Sequence, residues 1–438
     1  MRLVWCFPVL LAAVVGFRPM PASELTRTEP PPGPVGETPL VPPMLLEKEA
    51  LEAGNPLATY AAMLDLDSRY RNSKALAGIY AEVRFNFEEF LGFPMAGVEA
   101  MSLIQSKTPP SNRTKPAAVA AFPAGFEPED ALTVVEREAQ KTRIVIWGEE
   151  HHLPQTRSLF EPLLRRLWKH GYRYLAAETF ANEVMDPQFK YPNYRSGYYL
   201  KDPVFAAAVR TAKQLGYRLI AYDTTERGPE GDLSFRDRTQ AANIKARVFD
   251  RDPDAKVLII AGRLHASEKA APNGWTPMAT TLKQATAIDP FTVFAPTMGQ
   301  RLTRDEEHPW YRDADARGAL KQPTIFVEKA TGGTLGSDSC DAYVFWPRFR
   351  VEDGRPDWMM TTLGRTRVAI PEALKAGRGR RLIQAFVEGE PASAVPIDQL
   401  LLERPDSTGV LMLPPGKYRL RAVDERTTEL AKASLQVP

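Results

Sequence analysis

Between about residue 130 and residue 300, short apolar runs alternate with stretches whose apolar residues recur at helical spacing. Runs with the length and composition of buried strands are RIVIW, YRYLAAE, YRLIAYD, KVLIIAG and FTVFAP. The stretches between them, such as SLFEPLLRRLWKHG and VFAAAVRTAKQLG, are typical of helices that end at a glycine. This alternation indicates βαβ units, so the sequence predicts an α/β fold with a parallel or mixed sheet flanked by helices.

The pattern changes on both sides of this region. In residues 44–130, apolar positions at helical spacing, as in SKALAGIYAEVRFNFEEFLGF, predict a small N-terminal helical subdomain. In residues 366–438, short alternating runs such as GKYRLRAVD are separated by Pro, Gly and Asp, which is typical of a small all-β sandwich or barrel. We therefore place the α/β domain at 131–365, between a helical subdomain and a C-terminal β-sandwich domain.

The first residues, MRLVWCFPVLLAAVVGF, give a basic residue and an apolar run, and the small residues of MPAS follow. This layout predicts a secretory signal peptide at 1–22, with an uncleaved anchor as the alternative. We therefore expect a periplasmic or secreted protein in which residues 23–43 form a proline-rich linker. Cleavage removes Cys6 and leaves Cys340 as the single cysteine, which we interpret as a packed thiol.

The composition argues against several classes of partner. The chain has 56 basic and 54 acidic residues and no long basic block, so nucleic acid is not expected as a partner. No second apolar span follows the signal sequence, so we expect no integral membrane span after its removal. The sequence has no G-x-S-x-G elbow, no P-loop and no G-x-G-x-x-G after a strand, which argues against a serine triad of the α/β-hydrolase type and against nucleotide cofactors.

Titratable side chains follow four of the predicted strands. The strand ends carry Gly148-Glu149-Glu150-His151-His152, Glu178, Asp223 and Gly262-Arg263-Leu264-His265. Because ligands bind at the carboxyl ends of the strands in open α/β sheets, these segments are expected to meet at one edge. A single polar strand end is common by chance, whereas four in register predict a site.

Two kinds of chemistry suit these residue types. A histidine is poised for proton transfer near neutral pH, and a neighbouring carboxylate fixes its tautomer and raises its basicity. Alternatively, His151, His265 and a carboxylate such as Glu178 could hold a divalent metal ion with open positions. The spacing alone leaves both interpretations open.

The two G-x-x-H motifs, Gly148-Glu149-Glu150-His151 and Gly262-Arg263-Leu264-His265, resemble those of a broad superfamily. It contains the erythromycin-esterase-like hydrolases, the ChaN-like haem-binding lipoproteins and the TraB/TIKI group, and the G-E-x-H form is most similar to the first two branches. Arg236-Asp237-Arg238 before AANI, and the later DAYVFWPR, resemble further segments of that fold. The resemblance covers residues 131–365. It departs at Gln240, where relatives often have methionine, and at a tyrosine-rich insert, 189–202.

The resemblance implies a role for each of these side chains. It implies that His151 is a general base or metal ligand, that Glu149 and Glu178 orient or coordinate, that His265 is a second base or ligand, and that Arg236 clamps a carboxylate or stabilises an oxyanion. We add Asp223 as a further candidate. Structural alternatives remain for five of them: a helix cap for His151 or Asp223, a cap or an ion pair for Glu178, a core histidine for His265, and an ion pair with Asp237 or Glu226 for Arg236.

Three functions follow from these observations. The leading hypothesis is an exported hydrolase that cleaves an ester or amide bond in a small-molecule or peptide substrate, with or without a divalent metal ion. The second is a haem- or iron-binding protein of the ChaN-like type, which holds its ligand through the tyrosine-rich insert or the histidines. Tyr191, Tyr194, Tyr198 and Tyr199 could form a stacking lid over a substrate or haem, or could only pack the insert. The third is a non-catalytic module whose β domain binds another protein.

Overall fold

The computed structural model describes residues 54–107 and 121–438, except 405, 406 and 408, together with 40–43 and 46. The predicted signal peptide at 1–22 lies outside the described residues, as does the predicted linker except for its last four positions. No helix in the described part of the chain is long and apolar enough to cross a membrane.

The N-terminal part is helical. Its elements are α1 (Pro56–Asp65), α2 (Asp67–Asn72), α3 (Ala77–Phe90) and α4 (Ala96–Lys107). Helix α1 begins where the sequence provides a cap: the Asn55 side chain accepts a hydrogen bond from the amide of Leu57, and Pro56 fills the first helical position. The apolar faces of these helices, including Tyr60 and Phe87, are buried.

The centre of the fold is an eight-stranded sheet. Its strands are β1 (Phe126–Asp130), β2 (Ile144–Glu149), β3 (Tyr172–Ala177), β4 (Arg218–Ala221), β5 (Lys256–Gly262), β6 (Phe291–Met298), β7 (Thr324–Glu328) and β8 (Ala342–Phe345). They lie in the order β1-β7-β8-β6-β2-β5-β3-β4. The six strands from β8 to β4 are parallel, and β7 is antiparallel to both of its neighbours. The prediction of an α/β fold with a parallel or mixed sheet is confirmed, and the sheet is mixed.

Helices cover both faces of this sheet. The helices are α5 (Ala131–Glu138), α6 (Phe160–Lys169), α7 (Pro203–Leu215), α8 (Phe235–Ile244), α9 (Met278–Thr286) and α10 (Pro309–Ala316). One hydrophobic cluster joins Leu163 of α6 and Phe205 of α7 to Trp147 of β2, and a second joins Ile244 of α8 to Ile146 on the opposite face of that strand. Strand β2 is therefore buried on both faces, as its continuous apolar run requires.

Cys340 belongs to the second cluster. Cys340 is buried, and its burial raises the pKa of the thiol to about 12. A thiol with such a pKa stays protonated near neutral pH and is a poor nucleophile. The interpretation of Cys340 as a packed thiol is confirmed.

The C-terminal part is built from antiparallel strands. After β9 (Val351–Glu352), β10 (Arg355–Pro356) and the short helix α11 (Trp358–Thr361) come β11 (Thr366–Ala369), α12 (Glu372–Lys375), β12 (Arg381–Val387), β13 (Asp398–Leu402), β14 (Val410–Leu413), β15 (Gly416–Val423) and β16 (Glu429–Val437). A four-stranded sheet, β13-β12-β15-β16, packs against the β11-β14 pair. Ile383, Leu411 and Leu420 belong to the core between them. The expected small antiparallel β sheets at this end of the chain are therefore present.

The three parts of the chain share hydrophobic contacts. Tyr60 and Phe87 of the N-terminal helices lie in one cluster with Tyr194 of the tyrosine-rich insert and with Leu382 and Val423 of the C-terminal sheet. The N-terminal helices are thus packed against both other parts. The division of the chain into independent domains at 130/131 and 365/366 stays a prediction.

Candidate functional site

The four polar strand ends lie side by side in the sheet. Strands β2, β5, β3 and β4 are consecutive neighbours and all parallel. In their register Glu149 is opposite Gly262, and Ala177, which precedes Glu178, is opposite Ile260 and Ala221. Their carboxyl ends therefore form one edge, and the structure brings all six predicted side chains to it: Glu149, His151, Glu178, Asp223, Arg236 and His265.

His151 is held by a carboxylate on one side of its ring. Its Nδ1 lies 2.9 Å from Oε1 of Glu149, and its ring stacks on Tyr199 with centroids 4.1 Å apart. Its Nε2 is buried and has no hydrogen-bond partner among the described residues. Burial acts to lower the pKa of His151, but the hydrogen bond and charge of Glu149, together with the charge of Glu178, outweigh it and raise the pKa above its usual value.

Gly262 separates this nitrogen from the next carboxylate. A Cβ atom built on Gly262 would lie 3.0 Å from Nε2 of His151 and 3.3 Å from Oε2 of Glu178. The amide of Gly262 donates a hydrogen bond of 2.7 Å to the same oxygen of Glu178. The free imidazole nitrogen and the carboxylate therefore face the same small space, which exists because residue 262 has no side chain.

Arg236 joins the remaining predicted residues. Its Nε and Nη2 donate to the two carboxylate oxygens of Asp223 at 2.9 and 2.8 Å, and Nη2 also donates to Oε1 of Glu178 at 2.7 Å. Its Nη1 lies 3.2 Å from Nε2 of His265. These four contacts use four of the five guanidinium N–H groups. Arg236 pairs with Asp223 and Glu178, rather than with the Asp237 or Glu226 that the sequence offered as alternatives.

Glu178 is ionised in this setting. Burial acts to raise the pKa of its carboxyl, but the charge of Arg236 and the hydrogen bond from the amide of Gly262 help to hold the pKa well below its usual value. The site therefore contains a fixed negative charge beside the free nitrogen of His151.

The tautomer of His265 follows from its two partners. Because a guanidinium can only donate hydrogen bonds, the Nε2 that faces Arg236 is the acceptor, and the ring proton lies on Nδ1. Nδ1 is 2.6 Å from Oδ1 of Asp237. Asp237 is fixed in turn by the amide of Met278 and the indole N–H of Trp275, each at 2.8 Å. The neighbour of Arg236 in the R-D motif is thus the orienting carboxylate of His265, a role that the sequence analysis missed.

The donor set does not fit a divalent metal ion. Within the described ranges, no three His, Cys, Asp or Glu side chains form a group that could hold one. Of the predicted ligands, His265 directs its Nε2 lone pair at Arg236, and Glu178 gives one oxygen to Arg236 and the other to the amide of Gly262. The guanidinium of Arg236 therefore already lies between His265 and Glu178, where a metal ion bound to these two side chains would have to be.

Arg157 is a second residue that sequence reasoning missed. It is fully buried, and its Nε lies 2.5 Å from Oε2 of Glu149, while its Nη2 donates to the main-chain oxygen of His151 at 2.7 Å. Its Nη1 contacts Glu89 of α3 and Asp202 at the start of α7. Arg157 is the last residue of a single 3₁₀ turn, Pro154–Arg157, just after the first G-x-x-H motif. This closeness to the motif is the feature of the sequence that could have identified Arg157 as part of the site.

His152 is placed differently from His151. It is also buried, but burial and then the charges of His151 and Arg157 lower its pKa to about 3, so it stays neutral near pH 7. Its main-chain oxygen packs against α4, where a Cβ on Gly97 would lie 1.8 Å away. These contacts make His152 part of the packing under the motif.

The tyrosine-rich insert lies against the site. Tyr199 stacks on His151, and Tyr194 is buried near Gln384 of the C-terminal sheet. Tyr198 makes an edge contact with Tyr199. These contacts correspond to the packing role that the sequence left open for the insert.

No protein-family model and no curated protein matches the sequence. Similar solved structures include the type III effector HopBA1, at 10% identity over 52% of this chain and 99% of that chain, with a TM-score of 0.30. Another, titled "Bacterial protein toxins", has 14% identity over 50% of this chain and 47% of that chain, with a TM-score of 0.30. A third, titled "Cofacial heme binding to ChaN of Campylobacter jejuni", has 12% identity over 51% of this chain and 97% of that chain, with the same TM-score of 0.30. Likeness at this level supports no conclusion about activity, and membership of the superfamily stays a resemblance.

Proposed function

We propose that the protein is an exported hydrolase that cleaves an ester or amide bond in a small-molecule or peptide substrate, with His151 as the general base. The observation that carries this proposal is the buried Nε2 of His151, which has no partner among the described residues, while Nδ1 of the same ring is held by Glu149. An orienting carboxylate on one ring nitrogen and a free lone pair on the other is the arrangement that proton abstraction needs. Export rests on the predicted signal peptide.

The residues around His151 suit each proton transfer. Neutral His151 takes a proton from water at Nε2, the hydroxide oxygen bonds to the carbonyl carbon, and the carbonyl oxygen becomes an oxyanion. The imidazolium so formed is stabilised by Glu149 and by ionised Glu178. As the bond to the leaving oxygen or nitrogen breaks, the imidazolium returns its proton to that atom, leaving a carboxylic acid and an alcohol or amine.

Arg236 and His265 complete the arrangement on the other side of Glu178. The fifth N–H of Arg236, which the four contacts leave over, can donate to the oxyanion. His265 accepts from Arg236 and is fixed by Asp237, so it orients the guanidinium. Asp223 holds the same guanidinium by two parallel hydrogen bonds, which prevents its rotation.

The proposal is tested by offering the purified protein a panel of aryl esters, lactones and peptide amides, with and without a chelator. We expect hydrolysis of at least one class that is insensitive to the chelator. Activity that is lost to the chelator and restored by one metal ion would favour metal-assisted hydrolysis. No hydrolysis, together with a Soret band on haem titration, would favour the ChaN-like alternative.

The pH dependence of kcat/KM should report the ionisation of His151. A general base must be neutral, so activity is low in acid and rises with pH as the imidazolium loses its proton. Because the pKa of His151 is raised, the midpoint should lie above its ordinary value of 6.5. Initial rates at low substrate concentration between pH 5 and 9 measure it, and a midpoint clearly below that value would contradict the assignment.

Gly262→Ala should lower kcat/KM by about tenfold, because the neighbours must move by a few tenths of an ångström and a displacement of roughly 1 Å costs about 100-fold. The new Cβ would lie 3.0 Å from Nε2 of His151 and would push the ring or Glu178 away from their shared space. Gly299→Ala is the matched control, because its Cβ would meet no atom closer than 3.7 Å. Unchanged kinetics of Gly262→Ala would show that the space beside Nε2 is not used.

A further inference from the structure

We propose that helix α3 belongs to the site, and that Glu89 on this helix is a positioning residue that holds Arg157 so that Arg157 fixes Glu149 and the main chain of His151. This inference rests on the proposed function of His151. It assigns to the N-terminal helices a direct part in the site, which the sequence pattern did not indicate.

All three nitrogens of the Arg157 guanidinium have hydrogen-bond partners. Its Nη1 lies 2.7 Å from Oε1 of Glu89 and 3.0 Å from Oδ2 of Asp202. Its Nε and Nη2 face Glu149 and the main-chain oxygen of His151. Since the guanidinium is planar and its donors point in fixed directions, a partner that holds Nη1 also sets the direction of Nε and Nη2. Glu89 therefore acts on His151 through a single rigid group.

The charges around Arg157 indicate what Glu89 contributes. Three carboxyl groups, of Glu89, Asp202 and Glu149, surround one cation. Burial raises the pKa of Glu89, and the charges of Asp202 and Glu149 raise it further, so that it lies well above its usual value in spite of Arg157. Burial acts to lower the pKa of Arg157. The charges of Glu149, Glu89 and Asp202 outweigh burial and raise this pKa, so Arg157 remains a cation. What Glu89 contributes is therefore the position of its Oε1, which accepts a hydrogen bond from Nη1 of Arg157.

Other contacts place the same face of α3 over the insert. Asn86, one turn before Glu89, donates from its amide to the hydroxyl of Tyr198 at 3.4 Å. Glu82, a further turn earlier, lies close enough to His151 for their charges to interact. Residues at this spacing share one face of a helix. The contact between α4 and His152 through Gly97 is an independent second point of attachment.

The chain offers a matched control next to Glu89. Glu88 is equally buried and is also bonded to an arginine, with Oε1 2.7 Å from Nε of Arg84 and 3.1 Å from the hydroxyl of Tyr60. These partners lie within the N-terminal helices and do not reach His151. Comparing changes at 88 and 89 therefore separates loss of a buried carboxyl from loss of the contact to the site.

The test is nuclear magnetic resonance of the full chain with ¹⁵N-labelled histidine, which shows which ring nitrogen of His151 carries the proton. His151→Ala assigns the signal. We expect wild type, Glu88→Ala and Glu89→Gln to show one tautomer with a hydrogen-bonded Nδ1–H. Glu89→Ala should show a mixture of tautomers and, with any hydrolysed substrate, a kcat lowered by about 10- to 100-fold at similar KM.

Two other outcomes would contradict the proposal. A folded Glu89→Ala protein with the wild-type His151 signal would overturn it, and a lost signal in Glu89→Gln would show that charge rather than position matters. Should Glu89→Ala fail to fold, Glu89→Asp withdraws the carboxyl from Arg157 without leaving a large cavity, and the same signal decides. The spectra need no substrate, so an absence of hydrolysis would count against the proposed function alone.

Discussion

Replacing His151 by alanine is expected to lower kcat/KM for the ester or amide substrate by about 10²- to 10⁴-fold, the usual contribution of a positioned general base. The variant loses the imidazole nitrogen that takes the proton from water, while Glu178 and Arg236 still bind one another and hold the neighbouring strand ends together. We therefore expect the change to affect kcat more than KM. Steady-state kinetics at the pH of maximal activity measure it.

His170→Ala is the control for this prediction. His170 also contacts a carboxylate, with Nε2 2.8 Å from Oε1 of Glu136, but it follows helix α6 and precedes strand β3, away from the carboxyl ends of the strands. Its replacement should leave kcat/KM within about twofold of wild type, since surface changes of this kind have small effects. If His151→Ala kept most of the activity, or His170→Ala lost as much, the assignment of the base would be wrong.

Arg157→Met should destabilise the protein by about 3–5 kcal/mol, the cost of removing one partner from a buried set of charges. The side chain is fully buried, and the change leaves Glu149 and Asp202 without their cation. Urea and thermal unfolding measure the loss. The control is Arg165→Met, which removes an exposed pair with Glu161 and should cost no more than about 0.5 kcal/mol.

The decrease in the free energy of unfolding caused by Arg157→Met should also depend on pH. In the wild type the pKa of Glu149 is lowered in spite of burial, because the charge of Arg157 and the hydrogen bond with His151 outweigh it. A carboxyl with a lowered pKa contributes stability above its unfolded pKa and loses it as the pH falls through the folded value. The difference between variant and wild type should therefore be largest near neutral pH and shrink in acid. Equal stabilities at pH 7 would contradict this view of Arg157.

Much of the fold followed from local pattern. Strands such as RIVIW and KVLIIAG are buried on both faces, so each is an unbroken apolar run that the sequence displays directly. Strands β1 and β7 were not predicted. Strand β1, with the sequence FEPED, is short, partly exposed and acidic, and it is a strand because it pairs with β7. That pairing joins residues far apart in the chain, which no local pattern contains.

The site was predictable to the extent that it follows from the topology. Residues directly after parallel strands must lie at one edge, so Glu149, Glu178 and His265 were found without knowledge of their contacts. Arg157 and Glu89 were not found, because their contact joins positions 68 residues apart and crosses from α3 to the loop after β2. The opposite pKa shifts of His151 and His152 were likewise not predicted, because they depend on contacts with residues far away in the chain.

The adjacency of Glu88 and Glu89 has a consequence for changes in the length of α3. A residue inserted ahead of them turns the rest of the helix by about 100°. If the first part of the helix keeps its packing, Glu88 then arrives at the place that Glu89 occupied, and Arg157 still meets a carboxyl group. A deletion at the same point brings Phe90 there instead, and an aromatic ring replaces the acceptor. Variants of this protein should therefore tolerate one residue added to α3 more readily than one residue removed.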